Sequence, residues 1–501
     1  MNLLMLVVLF GVGAGLEIIM FSLPVWKVRY LRLALCVACI TLLSVSLGFG
    51  LFLQPLGVLL VLATIQLYRL VNLYRIAEQR MNDYYMLRTT RRTSLWLIAA
   101  QFMVIGGAYG VSSLAVANST LVTVLVIGQV LAAGLLLLTA HVRLRTSAYQ
   151  TVERAQTVPT VTVAIPARNE TQDLEQCLQS LVRTNYPKLE ILVLDDCSQL
   201  RRTPEIIRSF AQAGVRFVKG DEIREHWLAK NQAYDSLLDH ANGDIVMFCG
   251  VDTRFESHTL QTLVDQLVGS EKKMISIMPL RTDAKKPTLV HAQANRYIRE
   301  FLLPAFMLKR PPVLSSCWLI YKKDILKLGG MDAVRHAVTP EGYFANLLAK
   351  RNAYKFTRSD TSVGLTSMKS PQAQSRTAIR TLYPQLQRRP ELVLLTLAYY
   401  TAVVYGPIVV LLLSLRHDVP LVYGAVSLLS LAMMLAAYLR IARTTNIQAL
   451  YTAVLYAPFA AVIDLVLLHI SMIKYEFSEV IWKGRNVCEP VMHVLPSLPK
   501  A

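Results

Sequence analysis

The sequence predicts an α/β domain of alternating strands and helices, inserted between two groups of membrane-spanning helices. Three observations lead there. Of 501 residues, 54% are hydrophobic and only 17% charged, and the mean hydropathy is +0.41, a composition that belongs to an integral membrane protein. The apolar residues crowd the two ends, while residues from about 145 to 390 have the make-up of one water-soluble domain. Inside that block, short β-branched runs alternate with helical patterns. The 52 Lys and Arg against 33 Asp and Glu give +19. Many of these basic residues sit in short loops beside apolar runs, so a cytoplasmic membrane face explains them and a nucleic-acid partner is not expected.

The N-terminal region, residues 1–141, reads as about five spans. Met1–Trp26 is apolar without a positive n-region or a small-residue cleavage site, which favours a retained helix over a secretory signal. Runs long enough to cross about 30 Å of hydrocarbon follow near Leu31–Leu51, Pro55–Val71, Leu95–Val116 and Leu121–Ala140. Connections rich in Arg, such as the one holding Arg75, Arg80, Arg88, Arg91 and Arg92, alternate with nearly uncharged ones at Gln54 and Asn118. The positive-inside rule then puts the middle block in the cytoplasm of a multi-pass cell-membrane protein. Two or three further spans are expected within residues 391–473, since Pro407, Pro458 and Asp464 leave one run open to a re-entrant course, and residues 474–501 form a tail. Glu17 and Asp464 are carboxylates at membrane depth, read as helix-packing partners or, for a sharper role, acceptor contacts. Seven scattered cysteines make no even framework, and the C-x-x-C pair Cys36 and Cys39 lies in an apolar run, where packing explains it.

A linker, residues 142–157, leads to the soluble block, 158–372. Val161–Ile165 is a strand that stops at Pro166–Glu170 and gives way to helical spacing through Leu174, Cys177, Leu178 and Leu181. Leu189–Leu194 ends at Asp195 and Asp196, and Asp244–Cys249 is followed by Asp252. Such β-α repeats predict a parallel sheet with right-handed crossovers, whose ligands bind beyond the carboxyl ends of the strands. Three strand ends there present Arg168 and Glu170, then Asp195 and Asp196, then Asp252. Carboxylates gathered at a sheet edge suit cation binding and hydrogen bonding to a sugar or base, which is nucleotide-sugar chemistry. Neither a P-loop nor a G-x-G-x-x-G after the first strand is present. Residues 373–390 carry Ile379, Leu382, Tyr383 and Leu386 at helical spacing beside basic residues, and Tyr297, Phe301, Leu302 and Phe306 do the same, so both segments read as interfacial helices.

At this point the block resembles a membrane-bound family 2 glycosyltransferase of the GT-A fold. The likeness runs over Val158–Met368 and rests on ordered pieces: P-A-R-N-E at Pro166–Glu170, D-D-x-S at Asp195–Ser198, and W-x-x-K at Trp227–Lys230. The stretch Asn242–Phe255 around Asp252, G-G-M-D at Gly329–Asp332, and Pro340–Tyr354 complete the set. The tail W-K-G-R at Trp482–Arg485 resembles an element of bacterial carotenoid glycosyltransferases and ceramide glucosyltransferases.

The resemblance implies a metal-dependent, inverting transfer of a sugar from a nucleotide-diphosphate donor, UDP-linked, to a membrane-lipid hydroxyl. It implies donor contacts at Pro166, Arg168, Glu170, Asp195, Asp196 and Lys230. Asp252 would hold magnesium or manganese and Glu341 would be the base, with Arg376, Trp482 and Arg485 candidates for the acceptor or the diphosphate. Two departures stand out. The family's D-x-D is Gly250-Val251-Asp252, and its E-D pair is Pro340-Glu341. Restoring the carboxylate with Gly250→Asp is expected to strengthen metal binding or leave it unchanged. No Q-x-x-R-W element follows Glu341, which counts against a processive polysaccharide synthase. A sugar-nucleotide-binding scaffold without turnover is the remaining alternative.

Overall fold

The computed structural model describes residues 119–152, 158–282, 311–415, 419–445, 452–477 and 480–487, with shorter pieces of 10–105 and 292–297. The described residues fall into two compact units, the smaller drawn from those within 1–128 and 389–399, the larger from those within 129–388 and 400–489.

Helix α1 (Ser119–Thr146), which enters the larger unit at Gln129, leads to strand β1 (Val161–Ala167). The chain then alternates: α2 (Gln172–Val182), β2 (Leu189–Asp195), α3 (Arg202–Ser209), β3 (Val215–Lys219), α4 (Ala229–His240) and β4 (Ile245–Cys249). After it come β5 (Thr253–Phe255), α5 (Thr259–Gly269), β6 (Met274–Met278), β7 (Leu280–Arg281) and β8 (Cys317–Tyr321). The last soluble elements are α6 (Lys322–Lys327), α7 (Pro340–Ala349), β9 (Tyr354–Arg358), β10 (Leu365–Ser367) and α8 (Pro371–Gln385).

Seven strands make one sheet in the order β3-β2-β1-β4-β8-β6-β9. The first four are parallel, as the β-α repeats require. The sheet is nevertheless mixed, because β8 runs antiparallel to both β4 and β6. The parallel expectation fails there because β8 lies 68 residues after β4 in sequence order, beyond the repeating units, where the alternation that implied crossovers no longer applies. Alternate residues of the central strands face opposite cores. Val161, Val163, Ile165, Ile245 and Met247 pack with Leu174, Leu178 and Leu181 of α2, whereas Ala164, Val246 and Phe248 pack with Tyr234 and Leu237 of α4 and Phe344 of α7. A sheet covered on both faces explains why these strands read as unbroken apolar runs.

Four helices are long and apolar enough to cross a membrane: Val122–Thr146, Pro390–Leu415, Leu421–Thr445 and Val454–Glu476. They flank the α/β domain on both sides in the sequence. The other N-terminal runs lie outside the described residues, apart from short pieces. Among these, Arg69 Nη2 lies 2.6 Å from Glu17 Oε2 with both side chains buried, so Glu17 is a helix-packing partner. Cys39 is buried, with its thiol 4.0 Å from the Gly13 carbonyl oxygen, and Cys36 lies outside the described residues. The aromatic segment expected around Tyr297–Phe306 is likewise outside them, except Arg296 and Tyr297.

Candidate active site

The carboxyl ends of β1 and β4 open on a cavity of about 300 Å³. Pro166, Glu170, Lys230, Asp252 and Glu341 of the expected set line it. Arg168, Asp195, Asp196, Arg376 and Arg485 are not among its walls.

Glu341 stands in the first turn of α7, behind Pro340, at 2% exposure. Its Oε2 lies 3.9 Å from Lys230 Nζ and, among the described residues, has no hydrogen-bond partner. Buried polar atoms are ordinarily paired, so an unsatisfied carboxylate oxygen on a cavity wall is a place for a substrate proton. Two contacts put it there. Phe344, one turn on, stacks against Trp318 of β8 with ring centroids 6.2 Å apart. Asn231, next to Lys230, reaches the carbonyls of Val334 and Ala337 at 2.7 and 2.8 Å, tying the approach to α7 onto the start of α4. Asn231 escaped the sequence reading because nothing local marks it.

Lys230 Nζ sits 5.0 Å from the centre of the Tyr234 ring. Burial pulls its pKa down to about 8, against the opposing pull of Glu341. A cation that binds diphosphate only when protonated loses that grip as pH rises through its pKa. UDP affinity measured by calorimetry should therefore weaken by about tenfold between pH 7 and pH 9. A flat profile would detach Lys230 from the phosphates.

The β1 and β2 ends are joined by polar contacts that the sequence did not reveal. Arg168 Nη1 donates to the carbonyls of Asp196 and Cys197 at 2.5 and 2.6 Å, so its guanidinium holds the loop rather than lining the cavity. Asn169 and Cys197 both take left-handed backbone, at φ 49° and 51°, and Asn169 Oδ1 accepts from the amides of Gln199 and Leu200. Asp195 Oδ1 accepts from Ser198 N at 3.2 Å, a loop-closing role. Asp196 accepts both oxygens' worth of contact from Arg485 Nη1, each at 2.6 Å. Burial raises the pKa of Asp196 and Arg485 opposes it.

Arg485 belongs to a hairpin, β11 (Ile481–Trp482) with β12 (Arg485–Asn486). Lys483 in its turn pairs with Glu170 and reaches the Arg168 carbonyl at 2.7 Å. Arg485 thus reaches the Asp196 carboxylate at the end of β2. Arg376 is exposed, and Arg380, one turn later on α8, lines the cavity in its stead.

Asp252 follows β4 and is held from the small sheet β5-β10-β7. Ser367 Oγ donates to Asp252 Oδ2 at 2.6 Å, and Lys369 Nζ lies 3.3 Å from the same oxygen. Burial pushes the Asp252 pKa up, but Lys369, Ser367 and Arg281 outweigh it and hold the carboxyl below its ordinary range. Among the described residues no three His, Cys, Asp or Glu side chains gather as metal ligands. The donors around Asp252 are one carboxylate, one hydroxyl and two cationic groups, a poor fit for a resident magnesium or manganese ion.

At Gly250 a Cβ would stand 2.7 Å from Asp252 Oδ1, the far end of a side chain that can turn aside, so Gly250→Asp adds a carboxylate only by moving Asp252. It should displace Asp252, set two carboxylates together and lower UDP affinity by about tenfold, the scale of one lost charged hydrogen bond. Calorimetry with and without manganese would check this, and unchanged or tighter binding would restore the original expectation.

Residues 162–329 match the model of the family "Glycosyl transferase family 2". That match lies wholly within the central domain, whose mixed α/β sheet has apolar helices before and after it in sequence. Among similar proteins, the probable glycosyltransferase YdaM of Bacillus subtilis is 32% identical over 124 residues, 24% of this chain and 29% of YdaM. Glycosyltransferase AglE of Haloferax volcanii is 30% identical over 23% of this chain and 37% of its own. The 4,4'-diaponeurosporenoate glycosyltransferase of Staphylococcus aureus is 28% identical over 24% of this chain and 31% of its own. The matched part thus spans about a third of these relatives' length. A solved mannosyltransferase, PcManGT from Pyrobaculum calidifontis in complex with GDP-Man and Mn2+, aligns over 70% of this chain and 98% of its own at 20% identity and a TM-score of 0.42.

Proposed function

We propose that this protein transfers a sugar from a nucleotide-diphosphate donor, UDP-linked, to the hydroxyl of a membrane lipid, with inversion at the anomeric carbon. The observation that carries the reading is the buried, unsatisfied Oε2 of Glu341 on the cavity wall, 3.9 Å from Lys230. Glu341 takes the proton of the acceptor hydroxyl as its oxygen attacks the anomeric carbon. The bond from that carbon to the diphosphate breaks, and the negative charge left on the leaving group is met by Lys230 and the other cations of the cavity. Direct displacement by one base inverts the centre. No step runs through a metal ion, because Asp252 already has Lys369 beside it.

A lipid acceptor is supported by the wall opposite the strands. Helix α8 contributes Ala373, Thr377, Arg380, Thr381 and Gln385 to the cavity. The same helix packs on the last long apolar helix, where Ser471 Oγ donates to Ile379 O at 2.5 Å and Tyr475 OH to Arg380 O at 2.7 Å. The segment read from the sequence as interfacial forms helix α8, which lines the cavity with some residues and packs on a candidate span with others. Arg296, another cavity residue, lies 3.5 Å from Asp464 of that span. An acceptor with its tail in the bilayer would bring its hydroxyl to this side, and a cytoplasmic α/β domain would draw on cytoplasmic nucleotide sugar.

The test is turnover by the purified full chain in lipid nanodiscs. UDP should be released from UDP-sugars when membrane lipid is supplied, and mass spectrometry should find lipids one sugar heavier in cells that make the protein. Long carbohydrate products would instead indicate a processive synthase, and nucleotide binding with no release or lipid change a scaffold. Cysteine labelling of the α/β domain only from the cytoplasmic face completes the reading; labelling from outside would reverse it.

A further inference from the structure

We propose that this site binds the donor diphosphate without a divalent cation, the Lys369 ammonium and the Arg281 guanidinium supplying the charge beside Asp252. The inference rests on the reading of the cavity as a donor site and goes beyond it, since it changes what holds the donor.

Backbone pairing brings the three side chains together. Ser367 of β10 faces Thr253 of β5 on one side and Arg281 of β7 on the other. Met368 N donates to Asp252 O at 3.2 Å, so Lys369 follows directly from a residue hydrogen-bonded to Asp252. Asp252 Oδ2 then has Ser367 Oγ at 2.6 Å and Lys369 Nζ at 3.3 Å. Its other oxygen stands where a Cβ at position 250 would come within 2.7 Å. Glycine at 250 and lysine at 369 are complementary: the first carries no carboxylate and leaves room for Asp252, and the second sets a positive charge against the carboxylate that is present.

The charge balance of the cavity agrees. Six cationic and four acidic side chains line it, a surplus of two positive charges. A nucleotide-sugar diphosphate brings one negative charge on each phosphate, which matches that surplus. A magnesium or manganese ion would add two more positive charges close to an ammonium, in a partly desolvated site where repulsion is weakly screened.

The experiment is calorimetric titration of UDP and of GDP into the full-length protein in detergent, in EDTA and then with magnesium or manganese. The preferred nucleotide should bind with affinities within about threefold in all three. Lys369→Ala should lose about tenfold or more in EDTA, the scale of a charged hydrogen bond to phosphate, while Lys369→Arg keeps most of the affinity. Asp252→Asn should bind at least as well as the parent in EDTA, since the carboxylate competes with phosphate for Lys369. Thermal unfolding of each variant establishes that it is folded; if Lys369→Ala is not, the parent's metal response and Asp252→Asn decide. Binding that is more than tenfold weaker in EDTA than in manganese, loss of binding in Asp252→Asn, or a folded Lys369→Ala with parental affinity overturns the inference and leaves the transferase reading standing. If neither nucleotide binds under any condition, the donor-site reading falls, and this inference with it.

Discussion

Glu341→Gln is expected to lower the transfer rate by roughly 10²-fold or more while nucleotide affinity at pH 7 stays within about threefold, the usual pattern when a general base is removed and its shape is kept. The amide retains the size and hydrogen-bonding reach of the carboxylate but cannot take up a proton. The unsatisfied Oε2 makes the substitution structurally mild, because no protein hydrogen bond to that atom is lost. The competing role for this residue is also local. An acidic side chain in the first turn of α7, just after Pro340, favours the helix through its dipole. If that were all, Glu341→Gln would lower the melting temperature slightly and leave turnover of the folded enzyme intact. Measuring kcat, UDP affinity and thermal midpoint on one preparation separates the two roles.

Asp196→Ala should weaken UDP binding by roughly 1.5 to 3 kcal/mol, the range for a lost charged hydrogen bond. Asp196 stands at the end of β2 beside Ala167 of β1, whose carbonyl accepts its amide at 2.8 Å, so its carboxylate is set by the sheet rather than by a free loop. In the structure that carboxylate faces Arg485 of the hairpin, and a nucleoside using Asp196 must share it or displace the arginine. Arg485→Ala should therefore leave UDP affinity unchanged or tighten it. Folded Asp196→Ala with unchanged UDP affinity would remove Asp196 from the donor site, and a loss of affinity in Arg485→Ala would make the arginine a donor contact. Cys197, whose thiol points to the carbonyls of Gly220 and Asp221 at 3.5 Å, is not part of this argument.

The sequence alone determined the elements that local pattern controls. Apolar run lengths marked the spans that the described helices Val122–Thr146, Pro390–Leu415, Leu421–Thr445 and Val454–Glu476 now represent. Alternating β-branched runs and helical spacing marked β1, α2, β2 and β4, because each buries a face whose period is set by its own backbone. The strand-end residues Glu170 and Asp252, with Lys230 of α4 and Glu341 of α7, were legible as a set, and they do share one cavity. What local pattern could not contain was pairing between distant segments. The antiparallel β8, the turn of Asp252 into the space left by Gly250, and the substitution of Arg380 for Arg376 on the cavity wall all depend on partners far away in sequence. Lys369 is the clearest case. It is an unremarkable lysine in a loop until β10 pairs with β5 and carries it to Asp252, 117 residues earlier in the chain. Side-chain chemistry is written residue by residue, but a binding site is a set of distances, and those are settled only when the sheet closes.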